Sequence, residues 1–246
     1  MKFSEHLETS GNWLFRHRSR LPILIFAGVL FTLADFHFPD GEHGKQELWM
    51  LGCLVISIVG LALRVFIVGH VPARTSSRNT ARQVADTINT TGIYSVVRHP
   101  LYLGNYLMWL GAAATTRSPW FITTMTLLFW LYHERIIYAE EAFLERTHGD
   151  AFRTWASRTP AFLPHPNLWT PSALGFSLRH AIRREYLGAF GLITAFAVLD
   201  HLLDWRGRGH FEIDRWWVLG WSGAFAMFLV VRFLRKQTRL LHVEGR

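Results

Sequence analysis

Six long apolar runs separate the polar stretches of this chain of 246 residues. Each run is bounded by charged residues or by proline and glycine, and a helix needs about 20 apolar residues to cross a bilayer. The pattern predicts an all-α integral membrane protein with about six transmembrane helices, built as a single membrane domain over 1–246. The runs are 21–38, 48–68, 101–116, 119–139, 186–203 and 216–234.

Several runs are shorter than a full span and reach charged residues, which are Arg64, Asp200 and Arg232. Such ends must extend toward the headgroups or be buried against neighbouring helices. Buried helices of a soluble all-α protein are the alternative. The positive charges favour the membrane, because one set of alternate loops, with both termini, holds 21 of the 26 Lys and Arg residues. This asymmetry predicts that both termini and the active site are cytoplasmic.

Composition supports a bilayer partner and no nucleic acid. Half of the residues are hydrophobic and 18% are charged, and the net charge of +8 suits cytoplasmic loops that face anionic lipid. The single cysteine, Cys53, excludes an intrachain disulfide and a cysteine-based zinc site. The first run follows Arg16, Arg18 and Arg20, as in a signal peptide, but no small-residue cleavage site comes after it. We expect it to be retained as a span.

The two largest polar stretches, 69–97 and 140–185, fall on the predicted cytoplasmic side, and we expect the functional site there. The segment "GHVPARTSSRNT" (69–80) predicts a loop at the membrane surface. Arg74, Arg78 and Arg82 in or beside it either attract lipid headgroups or contact a substrate directly.

The segment "RHPLYLGN" (98–105) places two basic residues at the start of the third run. Pro100 is typical of a first helical turn, which puts Arg98 or His99 in the cap region and leaves the N–H groups of Leu101 and Tyr102 without helical partners. Free donors beside cationic side chains can hold a carboxylate or phosphate. An interfacial anchor is the alternative.

A second polar cluster is expected on the same membrane face. Only "RSP" (117–119) separates the third and fourth runs, which predicts a tight helical hairpin that returns Glu140 and Glu141 to the level of Arg98. The returning helix is expected to continue to Gly149, and "SRTPAFLPHP" (157–166) to follow an extended path. These opposite charges fit either a structural salt bridge or a site for a cationic ligand.

The segments "TGIYSVVRHPLYLGN" and "EEAFLERTHGDAFRTWASRTPAFLP" resemble the isoprenylcysteine carboxyl methyltransferases and the related phospholipid methyltransferases. These are integral membrane enzymes that use S-adenosyl-L-methionine. The resemblance covers a core over about 90–166 and leaves the helix pair 186–234 unmatched. It implies a cofactor pocket at the cytoplasmic face. The positions that match the family motifs are Arg98, His99, Pro100, Tyr102, Gly104, Glu140, Glu141 and Leu144.

The resemblance implies roles for these residues and their neighbours. For the cofactor, His99 and Arg98 with the helix N–H groups suit the carboxylate, and Glu140 or Glu141 suits the ammonium. Tyr102 suits the sulfonium. The remaining residues expected to bind cofactor are Pro100, Leu101, Gly104, Asn105 and Leu144. Gly104 is equally suited to a helix contact.

For catalysis, Arg98 or Arg158 is expected to hold an anionic acceptor, while Glu141 positions the acceptor or fixes an arginine. Little acid–base machinery is needed, since alignment and desolvation can supply most of the acceleration. An amine acceptor also requires a carboxylate that takes its proton. The chain departs from the usual family residues at Phe152, Trp155 and Ala161, so the resemblance does not identify the acceptor. A lipid-borne carboxylate, phosphate or amine is expected.

Two other functional classes remain open. A sterol-type reductase that uses NADPH has a similar helical arrangement, although the sequence contains no glycine-rich dinucleotide motif. A membrane adaptor or transporter is suggested by charged residues within the runs, such as Asp35, Arg64 and Asp200. The histidine spacings match no metal-binding motif, so we expect no metal. The sequence does not predict an oligomeric state.

Overall fold

The computed structural model describes residues 3–18, 21–33, 36, 38, 43–72, 85–210 and 213–246. Within these residues the chain forms α-helices, two short 3-10 turns and no β-strand, which confirms the predicted all-helical class. The helices are α1 (Phe3–His17), α2 (Leu21–Leu33), α3 (His43–His70), α4 (Pro100–Ala114), α5 (Pro119–His148), α6 (Asp150–Ala156), α7 (Leu178–Arg208) and α8 (Arg215–Gln237).

Each predicted apolar run lies largely or wholly within a helix, but the helices differ in their fitness to cross a membrane. In the described part of the chain, three are long and apolar enough by length and composition: Gly44–His70, Leu178–Arg208 and Arg215–Gln237. Helices α2 and α4 have 13 and 15 residues, which is less than a full span. The six-span topology and the cytoplasmic placement of the termini therefore stay predictions.

Small residues bring α3 and α4 into close contact. A Cβ atom on Gly60 would lie 2.6 Å from the carbonyl oxygen of Gly104, and one on Gly111 would overlap the carbonyl oxygen of Cys53. Ser57 also donates a hydrogen bond of 2.9 Å to the carbonyl oxygen of Met108. Glycines at such contacts let two backbones approach closely, as in other membrane helix pairs. The close contact holds the start of α4 beside Arg64.

Replacing Gly60 with alanine is expected to destabilise the protein by about 2 kcal/mol, because the new methyl group meets α4 backbone that cannot yield locally. Gly52 on the same helix has open space where its Cβ would lie. Gly52→Ala is therefore the matched control, and it is expected to be neutral or slightly stabilising because alanine favours helix. The thermal unfolding midpoints of the two variants in detergent test this difference. Equal midpoints would contradict the proposed contact.

The predicted hairpin between α4 and α5 is present. Pro119 occupies the first turn of α5, and Arg117 takes a positive φ of 55° in the connection. The turn is tied to the start of α3, since Trp49 donates to the carbonyl oxygen of Ala114 at 2.7 Å and Gln46 donates to that of Thr115 at 3.1 Å. These bonds satisfy carbonyl groups at the end of α4 that have no helical partner.

The segment after α6 returns beside the start of α4, as the prolines predicted. The N–H of Arg98 donates to the carbonyl oxygen of Pro160 at 2.9 Å, and that of His165 donates to Val96 at 2.9 Å. Helix α5 ends at Gly149, also as expected, where the φ of 52° favours glycine. Most of the loop predicted over 69–80, with its three arginines, and Asp35 lie outside the described residues.

Helix α1 is an element that the apolar runs did not reveal. It packs along α5, where a Cβ atom on Gly11 would overlap the carbonyl oxygen of Arg135. The helix has an exposed face that is polar apart from Phe3 and Trp13, and a short buried face that includes Phe15. This amphipathic pattern is too polar on average to stand out among runs of membrane-spanning length. Phe15 in its last turn and Arg18, the residue after its end, reach the candidate site.

Candidate active site

A cavity of about 730 Å³ lies between α1, α3, α4, α5 and α7. Its volume is in the range of small-molecule and cofactor sites. Residues from both sequence motifs line it, although about 40 positions separate them along the chain. Eight of the eleven predicted site residues contribute to the lining: Arg98, His99, Pro100, Leu101, Tyr102, Asn105, Glu140 and Leu144.

The structure places the other three predicted residues outside the lining. Gly104 packs against α3, where its Cβ would lie 2.6 Å from the Arg64 side chain, so it makes the helix contact that was the alternative interpretation. Glu141 lies behind the wall and pairs with Arg98 and His99. Arg158 is exposed and borders a separate shallow pocket instead of the cavity.

Arg98 acts as a structural brace. Its Nε and Nη2 atoms donate to the two carboxylate oxygens of Glu141 at 2.8 and 3.2 Å. Its Nη1 atom donates to the carbonyl oxygens of Ala156 and Thr159 at 2.7 and 2.6 Å. Four of the five guanidinium N–H groups are thus engaged. Arg98 therefore has little hydrogen-bonding capacity left for an anionic acceptor, which was one of its expected roles. The salt bridge with Glu141, which was the alternative, is present.

His99 lies between the two glutamates. Its Nε2 is 2.9 Å from Oε1 of Glu141, and its Nδ1 is 3.6 Å from Oε2 of Glu140. The ring is buried, with a side chain that is 9% exposed. Because both nitrogens face carboxylates, His99 positions Glu140 and Glu141 and does not form an open anion site with the helix start.

The adjacent glutamates have opposite pKa shifts. Burial raises the pKa of Glu140 above its ordinary value, although His99, Arg18 and a hydrogen bond from Tyr102 act in the other direction. Burial acts to raise the pKa of Glu141 as well. Hydrogen bonds and positive charge from His99 and Arg98 outweigh this effect, so the net pKa of Glu141 is lowered. Glu141 is therefore ionised and fully paired. Glu140 is the carboxylate that gains most from a cation placed in the cavity.

A raised pKa at Glu140 predicts the sign of a pH effect on the binding of a cationic ligand. The ligand requires the carboxylate form, so its dissociation constant is expected to increase up to about tenfold for each pH unit below that pKa. Titrations of S-adenosylhomocysteine over a series of pH values from neutral into the acid range test this, since its ammonium stays charged throughout. The Glu140→Gln variant is the control and should show a flatter profile. Equal pH profiles would contradict the role of Glu140.

Aromatic side chains form one wall of the cavity beside Glu140. Tyr102 stacks at 5.9 Å from His99 and meets His133 at 4.6 Å between ring centroids. Tyr132 and Trp109 lie on the other edges of His133. Faces of aromatic rings attract cations, including a sulfonium. The sequence motif identified only Tyr102. The other rings lie within apolar helical runs, where aromatic residues are also expected for packing alone.

A buried ion pair that the sequence did not reveal lies beside the predicted residues. Nε and Nη2 of Arg64 donate to the two oxygens of Glu185, both at 2.9 Å, and Nη1 donates to Oδ1 of Asn105 at 2.6 Å. The Glu185 side chain is 5% exposed. This pair joins α3 to α7 across 121 positions, and the only sequence signal for it is a charge at the end of an apolar run.

The cavity becomes apolar beyond this ion pair. Met108 and Ala112 of α4 face Leu192 of α7 there, and Gly188 and Gly191 leave room beside them. Gly191 is also exposed on the surface of α7. From Glu185 to Ala195 the helix rises about 15 Å, so this apolar end follows α7 for about half of a bilayer core.

Trp155, one of the departures from the family pattern, has a structural role. Its indole N–H donates to the carbonyl oxygen of Tyr94 at 3.1 Å and fixes the segment before Arg98. Phe152 is buried beside it. Among the described residues, no group of three or more His, Cys, Asp or Glu side chains could hold a metal ion.

Residues 50–151 match the phospholipid methyltransferase family. The chain is 30% identical over 192 residues to the cobalt-zinc-cadmium resistance protein CzcN of Cupriavidus metallidurans, an alignment that covers 75% of this chain and 84% of that protein. It is 29% identical over 159 residues to the nickel-cobalt-cadmium resistance protein NccN of Alcaligenes xylosoxydans xylosoxydans, covering 64% and 70%. No solved structure matches the chain.

Enzymes with a named methyl acceptor are also similar to this chain. The protein-S-isoprenylcysteine O-methyltransferase of Schizosaccharomyces pombe is 32% identical over 77 residues, which cover 30% of this chain and 32% of the enzyme. The match over 50–151 contains the start of α4, the hairpin and both glutamates of α5. Together with the extent of the similarity to CzcN, this match shows that this chain belongs to the phospholipid methyltransferase family of membrane methyltransferases.

Proposed function

We propose that this protein transfers a methyl group from S-adenosyl-L-methionine to a lipid or lipidated acceptor. The observation that carries the proposal is one cavity with two unlike ends. One end has a half-buried carboxylate, Glu140, beside aromatic rings, and the other is apolar and follows α7. A polar cationic cofactor fits the first end, and an aliphatic chain fits the second.

The donor set at the polar end fits the amino-acid part of the cofactor. Glu140 accepts hydrogen bonds from an ammonium, and Tyr102 holds the Glu140 carboxylate in place. Arg18, the residue after α1, lines the same end with its guanidinium carbon 3.8 Å above the Phe15 ring, which makes it a candidate partner for the cofactor carboxylate. When bound, S-adenosyl-L-methionine supplies a methyl group on a cationic sulfur.

The residues of this chain promote the transfer by placement and by exclusion of water. His99, Arg98 and Glu141 hold Glu140 and the start of α4 in fixed positions, so less ordering is required when ligands bind. Tyr102, Trp109 and Tyr132 surround the polar end with rings and limit access of water to it. No nucleophile of the protein is required, because the acceptor itself attacks the methyl group.

A lipid acceptor follows from the apolar end. Its walls belong to α4 and α7, and α7 is long and apolar enough to span a bilayer. The relatives named protein-S-isoprenylcysteine O-methyltransferase act on a lipid-modified cysteine, which is consistent with an acceptor of this kind. The acceptor group is a carboxylate, phosphate or amine.

The direct test is transfer of radiolabel from methyl-labelled S-adenosyl-L-methionine to membrane components. Purified protein in nanodiscs made from total membrane lipid, with and without N-acetyl-S-farnesylcysteine, should yield label in the organic extract. Glu140→Gln should abolish this label. Wild-type protein that binds S-adenosylhomocysteine but labels neither lipid nor the farnesylated compound would contradict a lipid acceptor.

Replacing Gly191 with leucine is expected to reduce methylation of a long-chain acceptor by about tenfold, because the new side chain occupies the apolar end. Binding of S-adenosylhomocysteine should be unchanged. Gly223 on α8 also has open space around its Cβ position, so Gly223→Leu is the matched control in a membrane-spanning helix. Loss of S-adenosylhomocysteine binding in Gly191→Leu would assign the apolar end to the cofactor and contradict its role in acceptor binding.

A further inference from the structure

The first turns of α7 concentrate positive charge around a buried histidine. His180 is 5% exposed, and the charges that act on its ring come from Arg183, Arg184 and Arg246. Its Nδ1 atom is buried and has no hydrogen-bond partner among the residues that the structure describes. A buried polar nitrogen without a partner is unfavourable, so a ligand that bonds to it stabilises the fold.

The arrangement is held in place from several directions. Ser177 caps α7 and accepts a hydrogen bond of 3.3 Å from the backbone N–H of His180. The guanidinium of Arg246 donates to the carbonyl oxygens of Gly69 and Gly175, which ties it to the end of α3 and to the loop before α7. Arg246 is therefore fixed beside His180 by bonds that do not neutralise its charge.

The carboxylate of α7 nearest in sequence to these arginines binds another helix. Glu185, the acidic residue that follows Arg184, uses both oxygens on Arg64 of α3. The N-terminus of α7, a helix of 31 residues, adds its own partial positive charge. Three guanidinium groups, an imidazole nitrogen and a helix N-terminus form a typical set of ligands for a tetrahedral oxyanion that accepts several hydrogen bonds at once.

We propose that His180, Arg183, Arg184 and Arg246 form a phosphate-binding site at the N-terminus of α7. The site is separate from the cofactor end, and it adjoins the cavity only through Arg184, which also lines the cavity wall. Helix α7 lies outside the segment that matches the family, so the site belongs to the additional C-terminal helices of this chain. A phosphate here comes from a phospholipid headgroup at the membrane surface or from solution.

The test is calorimetric titration of the full chain in neutral detergent with three probes. These are dihexanoyl phosphatidic acid, inorganic phosphate and dihexanoylglycerol, which lacks the phosphate. Phosphatidic acid is expected to bind and dihexanoylglycerol is not. Binding of inorganic phosphate as tightly as phosphatidic acid would support the site with phosphate from solution as its source, whereas weaker binding would support a lipid headgroup. No binding of either phosphate probe would overturn the proposal.

Two arginines of the same helix give a matched pair of variants. Arg183→Gln is expected to weaken phosphatidic acid binding about tenfold through loss of a charged hydrogen bond. Arg179→Gln removes the same charge from an exposed position that is not among the charges acting on His180, so it should bind normally. Equal loss of phosphatidic acid binding in both variants would show that the lipid is attracted by diffuse surface charge, and it would overturn the proposed site.

Two further measurements separate this site from the cofactor end. Arg183→Gln should bind S-adenosylhomocysteine like the wild type, and loss of that binding would identify the anion as the cofactor carboxylate and overturn the proposal. In protein with ¹⁵N-labelled histidine rings, the signal that is missing in His180→Gln should shift during a phosphatidic acid titration. Phosphate binding in a protein that fails to bind S-adenosylhomocysteine would leave this site intact and contradict only the proposed methyl transfer.

Discussion

Arg98→Ala is expected to destabilise the protein by about 3 kcal/mol, the largest stability effect of the substitutions considered. The change leaves the Glu141 carboxylate without its bidentate partner in a half-buried position. It also removes both hydrogen bonds to the segment after α6, at Ala156 and Thr159. That segment then loses its main side-chain attachment to the start of α4, and cofactor binding should decrease with it.

Thermal unfolding of Arg98→Ala in detergent measures this effect. Arg153→Ala is the control, since Arg153 pairs with Asp150 and Glu145 on an exposed surface and its loss should not change the midpoint measurably. The stabilising effect of the lowered pKa of Glu141 is present at neutral pH and is lost as the pH falls through that lowered value. The wild-type midpoint should therefore approach that of the variant in acid. Similar unfolding midpoints of Arg98→Ala and the wild type at neutral pH would contradict the role of Arg98 as a structural brace.

Glu140→Gln is expected to weaken binding of S-adenosylhomocysteine about 100-fold, the largest binding effect, because the amide cannot pair with the ammonium in a half-buried site. The variant should fold at least as well as the wild type. Burial raises the pKa of Glu140, so the charged side chain destabilises the free protein at neutral pH and its removal relieves that effect.

Glu134→Gln on the same helix is the control for this experiment. Glu134 is exposed and does not line the cavity, so the variant should bind S-adenosylhomocysteine like the wild type. Calorimetric titration gives both dissociation constants, and the unfolding midpoints verify that the variants are folded. Wild-type affinity in Glu140→Gln would mean that the ammonium lies elsewhere in the cavity.

Features set by local chemistry could be predicted from the sequence. The fixed φ of Pro100 and the glycine at 149 determine where α4 begins and α5 ends, and the short "RSP" connection dictates a hairpin that returns to the same face. Arg98 and the α5 glutamates lie at similar distances along the chain from the turn of this hairpin. Their contact could therefore be predicted once the hairpin was. The pairing itself, and the choice of Glu141 over Glu140, depend on atomic packing.

Features that join distant parts of the chain could not be predicted. The contact of Arg64 with Glu185 requires α7 to pack on α3, and an apolar run carries no information about its neighbours in a membrane, where every helix presents apolar side chains. The same holds for Phe15 of α1 and for Arg18 just after it, which line the cavity, since the position of α1 depends on the close approach at Gly11. The position of Arg158 outside the cavity could not be predicted either, because it depends on the path of the returning segment, which leaves that side chain exposed.

Equilibrium binding of S-adenosylhomocysteine to the wild-type protein tests the central claim most directly. Calorimetric titration in detergent and in lipid nanodiscs should give a single site with a dissociation constant in the micromolar range. S-adenosyl-L-methionine should displace the ligand, and Glu140→Gln should weaken its binding about 100-fold. Absence of binding by folded wild-type protein in both environments would contradict the assignment of the cavity to this cofactor.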